Sequence, residues 1–156
     1  MLSLNDVKKI FNLFQVNGIV TKSIVYGEGH INNTYLVTIN HKGKQSDYIL
    51  QLINDKIFHP VSKLMENYVS VTQFCRKEII KRKGDPHRET INVIFTKNHK
   101  SYAKYQGRYC RLLEFIKDTK KCAILAAAKV IFLVTKVSPL RSDSWLNKIP
   151  LQQYIL

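Results

Sequence analysis

The sequence predicts an α+β fold: an antiparallel sheet with a helix packed on one face, followed by a helical or irregular C-terminal tail. Hydrophobic periodicity sets the element order as helix, three strands, helix, three shorter strands. The turns between successive strands are too short for the crossover that a parallel pair needs, so the strands pair as an antiparallel meander. At 156 residues, 45% of them hydrophobic, the chain can bury a core of its own.

Residues 4–14 carry Leu4, Val7, Ile10, Phe11 and Phe14 at helical spacing, with Asn5 or Asp6 as the first-turn cap and Asn17-Gly18 as the stop. Residues 19–26 alternate loosely and are rich in β-branched side chains, which predicts the first strand. A turn over residues 27–34 leads to a returning strand at 35–39, a polar turn at 40–44 and a third strand at 48–53. His59-Pro60 breaks the chain. Val61, Leu64, Met65, Tyr68, Val71, Phe74, Cys75 and Ile79 then form the stripe of a helix over 61–80, stopped by Gly84-Asp85-Pro86. Strands at 92–96 and 101–105 follow, joined by residues 97–100, and 108–116 reads as a last strand leaving the sheet.

From Lys120 the character changes, which divides the chain into a domain at 1–119 and an atypical tail at 120–156. Residues 122–137 are apolar apart from Lys129, Thr135 and Lys136, a run shorter than the ~20 residues of a membrane span. A helix over 120–136 packed back on the domain is expected rather than a membrane anchor.

The amino terminus interleaves Leu2, Leu4, Val7 and Ile10 with polar residues and does not read as a signal peptide. The three cysteines, Cys75, Cys110 and Cys122, are odd in number and far apart, which argues against a zinc site or a disulfide framework. Idle thiols in a reducing cytoplasm are the expectation. The five histidines (His30, His41, His59, His87 and His99) lack metal-ligand spacing. The net charge of +14 admits a polyanion partner, yet the basic residues are scattered. Their densest cluster, Arg76, Lys77, Lys81, Arg82 and Lys83, fits a solvated helix end. A non-enzymatic basic module for nucleic acid or an acidic protein is the competing function class, with Tyr102, Tyr105 and Tyr109 as its stacking residues.

Three features could carry chemistry. Gly27 and Gly29 in the first strand-to-strand turn let backbone amides approach phosphate oxygens, and Asn32, Asn33 and Thr34 add donors beside them. Glu66 on the long helix could hold a side chain of a neighbouring strand. The strand ending in Glu114, Phe115 and Ile116 could present its backbone to a ligand. Taken singly, these are equally an ordinary hairpin, a solvent-facing glutamate and a core strand.

Together they are more specific. The run Gly27-Glu28-Gly29-His30-Ile31-Asn32-Asn33-Thr34-Tyr35, followed by Tyr48-Ile49-Leu50-Gln51, resembles the aminoglycoside-phosphotransferase and choline-kinase superfamily. Ile53-Asn54, Phe58, Met65-Glu66-Asn67, Val71-Thr72 and Gly107-Arg108-Tyr109-Cys110-Arg111 look like its N-acetylhexosamine 1-kinase branch. The likeness covers about residues 4–119. It implies a protein-kinase-like N-terminal lobe, with ATP and Mg²⁺ as cofactors and a sugar or related alcohol as acceptor. On that likeness Gly27, Gly29, His30, Ile31, Asn32, Asn33 and Thr34 cover the phosphates. Gln51 stands where many relatives carry a lysine or arginine, Glu66 faces it, and Glu114, Phe115 and Ile116 approach the hinge to the second lobe.

The sequence departs from the family in two ways. No cation stands at Gln51, and Lys56 is the nearest substitute in sequence. No H-x-D-x-x-x-x-N catalytic loop occurs, although phosphoryl transfer needs a base and metal-holding carboxylates. The expectation is therefore a truncated or frame-shifted phosphotransferase, inactive alone. A nucleotide is its expected partner, and a separate chain could carry the second lobe; no specific nucleic acid and no membrane span are expected.

Overall fold

Six strands form one antiparallel sheet in the order β1-β2-β3-β6-β4, with β5 also paired to β6. They are β1 (Ile19–Val25), β2 (Asn33–His41), β3 (Lys44–Ile53), β4 (Val93–Ile94), β5 (Ala103–Tyr105) and β6 (Arg108–Glu114). The computed structural model describes residues 1–27 and 31–117. Met1–Lys117 make up one compact unit. The tail helix expected at 120–136, Cys122 and the boundary at 119 lie outside the described residues.

The strand meander is as the alternation predicts, but its turn is tighter. Lys42 and Gly43 both have positive φ, 51° and 82°, the conformation of a two-residue hairpin turn whose twist matches its strands. β2 and β3 therefore run on to His41 and Lys44, in register from Asn33↔Leu52 to His41↔Lys44. The last strand does not leave the sheet. β6 lies inside it, with β3 on one side and β4 and β5 on the other. Cys110, Arg111, Leu112 and Leu113 are all buried, as a strand covered on both faces requires.

The first helix, α1 (Leu4–Phe11), is shorter than the apolar spacing predicts. Ser3, not Asn5 or Asp6, caps it; Asp6 completes a capping box by accepting from the Ser3 backbone and side chain at 3.0 and 2.7 Å. Asn12 ends the helix, because the following residues join a strand-like pairing. Phe14 bridges Thr96, Gln15 donates to the Phe95 carbonyl, and the Lys97 amide donates to the Leu13 carbonyl. The long helix, α2 (Val61–Lys81), is where the periodicity places it. Asp85 then caps a short helix, α3 (Pro86–Glu89), where the sequence reads only as a stop.

Cross-strand partners share a face, so the register sorts the sheet into two sides. On one, Tyr35, Val37, Leu50 and Leu112 pack with Val7, Ile10, Phe11 and Phe14 of the amino-terminal segment. On the other, Ile53, Val93 and Leu113 pack with Val61 and Met65 of α2. A helix thus covers each face, not one face alone. Two hydrogen bonds fasten the amino-terminal segment: Tyr105 Oη donates to Asp6 Oδ1 at 2.9 Å, and the Leu2 amide donates to Tyr35 Oη at 3.0 Å. Among the described residues no helix is long and apolar enough to cross a membrane.

Candidate functional site

The turn after β1 is the first element of the site. Gly27 has φ 79° and a Cβ there would meet nothing within 4 Å, so backbone conformation rather than crowding selects glycine. The Tyr26 amide donates to the Thr34 carbonyl at 2.9 Å and closes the strand pair behind the turn. Asn32 is buried, and its Oδ1 accepts from the Asn54 amide at 3.0 Å. Through that oxygen the side chain ties the turn to the end of β3, which leaves its Nδ2 as the donor. Ile31 is half-buried and Asn33 exposed. A pocket of about 190 Å³ is lined by Met1, Val25, Gly27, Asn32, Asn33, Thr34 and Tyr35. Gly29 and His30 lie outside the described residues.

From Thr34 a buried polar row crosses the sheet. Thr34 pairs with Gln51 and Gln51 with Arg111, one residue on each of β2, β3 and β6. All three are at least nine-tenths buried, with Thr34 at 9%, Gln51 at 3% and Arg111 at 7% exposure. Arg111 Nε donates to Gln51 Oε1 at 2.9 Å, and Gln51 Nε2 donates to Thr34 Oγ1 at 3.1 Å. A guanidinium can only donate, so the amide orientation of Gln51 is fixed by its neighbour. Arg111 Nη1 also lies 3.8 Å from Met65 Sδ, and its guanidinium stacks 4.2 Å over the Tyr68 ring. Burial lowers the Arg111 pKa from its ordinary value, with Tyr68 opposing the shift, and burial raises that of Tyr68.

Two expectations fail at this point. Glu66 does not face Gln51; it is exposed and pairs with Lys63 at 3.1 Å. Val61 and Met65 are the buried positions near the start of α2, four residues apart, and Glu66 falls one residue off that stripe. Lys56 is exposed beyond the end of β3 and does not replace the missing cation. The cation beside Gln51 is Arg111, which in the sequence reading belongs to the run 107–111 and has no role at the site. Its adjacency depends on a register that links positions far apart in the chain.

At the far end of β6, Glu114 lies opposite Tyr48. Its carboxylate accepts from Asn92 Nδ2 at 3.2 Å and lies 3.3 Å from His87 Nδ1. His87 Nε2 is 3.2 Å from Arg76 Nη2. Arginine donates there, so Nε2 accepts and the proton sits on Nδ1, facing Glu114. Glu114 is thus engaged with Asn92 and with α3, whose His87 in turn meets Arg76 of α2. The Phe115 amide donates to the Asp47 carbonyl at 3.3 Å, and its ring meets Tyr26 edge-on, centroids 5.7 Å apart. Ile116 is half-buried.

The second face is not covered evenly. One row of apolar side chains runs Ile24, Leu36, Ile49, Leu113, Val93 across five strands. Val93 and Leu113 lie against α2 at 7% and 6% exposure, whereas Ile24 at the far edge is 44% exposed. Tyr26 and Phe115 stand on opposite sides of this row, and their rings meet.

The remaining groups look structural. Burial raises the Cys110 thiol to about 11 and shifts Cys75 upward. Tyr102, Tyr105 and Tyr109 are half-buried rather than exposed; Tyr102 packs edge-on against Tyr109 and Tyr105 bonds Asp6. In the basic cluster, Lys81 pairs with Glu78 and Arg82 with Glu89. Among the described residues no group of three or more His, Cys, Asp or Glu could hold a metal ion. No protein-family model matches the chain.

Proposed function

We propose that the described unit is the nucleotide-binding lobe of an ATP-dependent small-molecule phosphotransferase of the aminoglycoside-phosphotransferase and choline-kinase type, closest to the N-acetylhexosamine 1-kinase branch. The observation that carries the reading is the apolar outer part of the second sheet face, where Ile24 is 44% exposed, Leu36 and Ile49 are half-buried, and the Tyr26 and Phe115 rings meet across their row. Ile24, Leu36 and Ile49 present branched aliphatic side chains beside two aromatic rings, and Gly27 turns the chain one row away. A planar base suits such an apolar, aromatic surface, with its phosphates running toward the glycine turn. Along β2 and β3, Leu36 and Ile49 lie two residues from Thr34 and Gln51, roughly 7 Å at strand spacing. Base and phosphate would then fall on neighbouring rows of one face.

The nucleotide would bring Mg²⁺ with its phosphates. The base and the metal-holding carboxylates of transfer would come from outside this lobe, since the sequence contains no H-x-D-x-x-x-x-N loop. The chain is therefore expected to bind ATP without phosphorylating a sugar by itself. Thermal shift with ATP, Mg²⁺ and, separately, adenosine tests the binding; no shift at millimolar concentrations sinks it. Turnover of N-acetylhexosamines by the purified chain would overturn the claim of inactivity.

A further inference from the structure

We propose that Arg111 is the seat of a compact oxyanion of the phosphate type, supplied from β6, with Gln51 positioning it. Resting on the nucleotide reading, this assigns the anion-holding residue of that same site. The guanidinium is 7% exposed, and its named neighbours, Gln51, Met65 and Tyr68, are all neutral. Among the described residues it makes no ion pair. A buried cation without a counter-charge is costly and is ordinarily matched by a carboxylate. Leu113, two residues along the same strand and on the same face, shows that an aliphatic side chain fits this layer.

The hydrogen bonds leave a donor to spare. Nε goes to Gln51 and Nη1 to Met65. Nη2 has no hydrogen-bond partner among the described residues. The Tyr68 face fixes the guanidinium plane, and Gln51, itself held by Thr34, fixes its rotation. A planar, pre-oriented guanidinium with a free terminal N–H is suited to a phosphate oxygen. The same row ends at Thr34 beside the glycine turn, whereas the pocket by Gly27 is lined by Met1, Val25 and Tyr35 of the α1 side.

Thermal shift at matched ionic strength tests the assignment, with pyrophosphate, ATP and adenosine as separate probes on the full chain. Wild type should gain about 5 °C at ten times the pyrophosphate Kd. R111M should lose that gain, and the Q51L/R111M pair, which leaves no orphaned amide, should lose it as well. R111K keeps the charge and should retain part of it. ATP binding should weaken on the order of 10- to 100-fold in R111M, the loss of one charge-assisted hydrogen bond. No pyrophosphate shift in wild type, or an undiminished shift in both charge-removing variants, overturns the proposal. ATP and adenosine shifts untouched by R111M would leave the nucleotide reading standing without this seat. A pyrophosphate shift with no response to ATP or adenosine would do the reverse.

Discussion

On the α1 side of the sheet Val7, Ile10, Phe14, Val37, Leu50 and Leu112 are all fully buried and wholly apolar, whereas the α2 side buries Thr34, Gln51 and Arg111 at similar depth. The first side follows the rule for a core: aliphatic and aromatic groups at close packing, with the buried Tyr35 hydroxyl satisfied by the Leu2 amide. The second places a guanidinium and an amide in the same layer, while at the β1 edge both faces are exposed, Val25 at 55% on the α1 side and Ile24 at 44% on the α2 side. Two faces of one sheet share strands, twist and register, so backbone constraints do not explain the contrast. The α1 side is built for stability, and the α2 side carries the desolvation cost of a buried guanidinium.

That contrast can be broken by substitution. F14A should have the largest effect, about 3–5 kcal/mol of unfolding free energy, as a large buried ring leaves a cavity. Urea denaturation measures it, and a loss below 1 kcal/mol would remove the claim that the α1 side is the stabilising one. Next come Q51L and R111M. Each alone should cost about 1–3 kcal/mol, because the remaining partner stays buried without its hydrogen bond. The double variant should recover most of this, with a coupling of about 0.5–3 kcal/mol. Additive losses would mean that the row is not one connected unit.

A smaller effect is expected at the amino-terminal cap. S3A should cost about 1 kcal/mol by removing a capping side chain. Asp6 gives this site a pH signature. Its carboxyl sits below its ordinary value because the Ser3 side chain and backbone, and then Tyr105, donate to it. A lowered pKa adds stability above the unfolded value and loses it as the pH falls through the folded one. The difference between wild type and S3A should therefore shrink on acidification below the carboxylate range. A difference independent of pH would mean that Asp6 takes no part in the cap.

The first three strands and the long helix are legible because apolar period is local: alternation marks β1 to β3, and the Val61–Met65 spacing marks α2. What escaped was set by contacts between distant segments. Leu13 and Phe14 keep helical spacing, yet backbone pairing with residues 95–97 takes them out of α1. Likewise β6 reads as an exit strand until β4 and β5 fold back on it. The site divides the same way. Gly27, Thr34 and Gln51 were named from sequence and two of them do meet. Arg111 is not legible as the cation beside Gln51, because nothing local says that position 111 lies beside position 51.

Glu66 gives the smallest predicted effect and the sharpest check on that lesson. It is the helix carboxylate that the resemblance would pair with a strand cation, but here Met65 holds the inward position and Arg111 takes the charge from the opposite side. Glu66 meets only Lys63, and both side chains are more than half exposed, at 62% and 73%. An exposed i,i+3 pair contributes about 0.2–0.5 kcal/mol, screened further by salt. E66Q should therefore change stability by less than about 0.5 kcal/mol. It should also leave the ATP- and pyrophosphate-induced shifts of the chain unchanged, while R111M abolishes the second. A large loss of ligand response in E66Q would show that α2 can turn by about one residue, bringing Glu66 in place of Met65 against Arg111. The cation would then have a carboxylate partner, and the electrostatic case for an anion seat on the α2 side would fall.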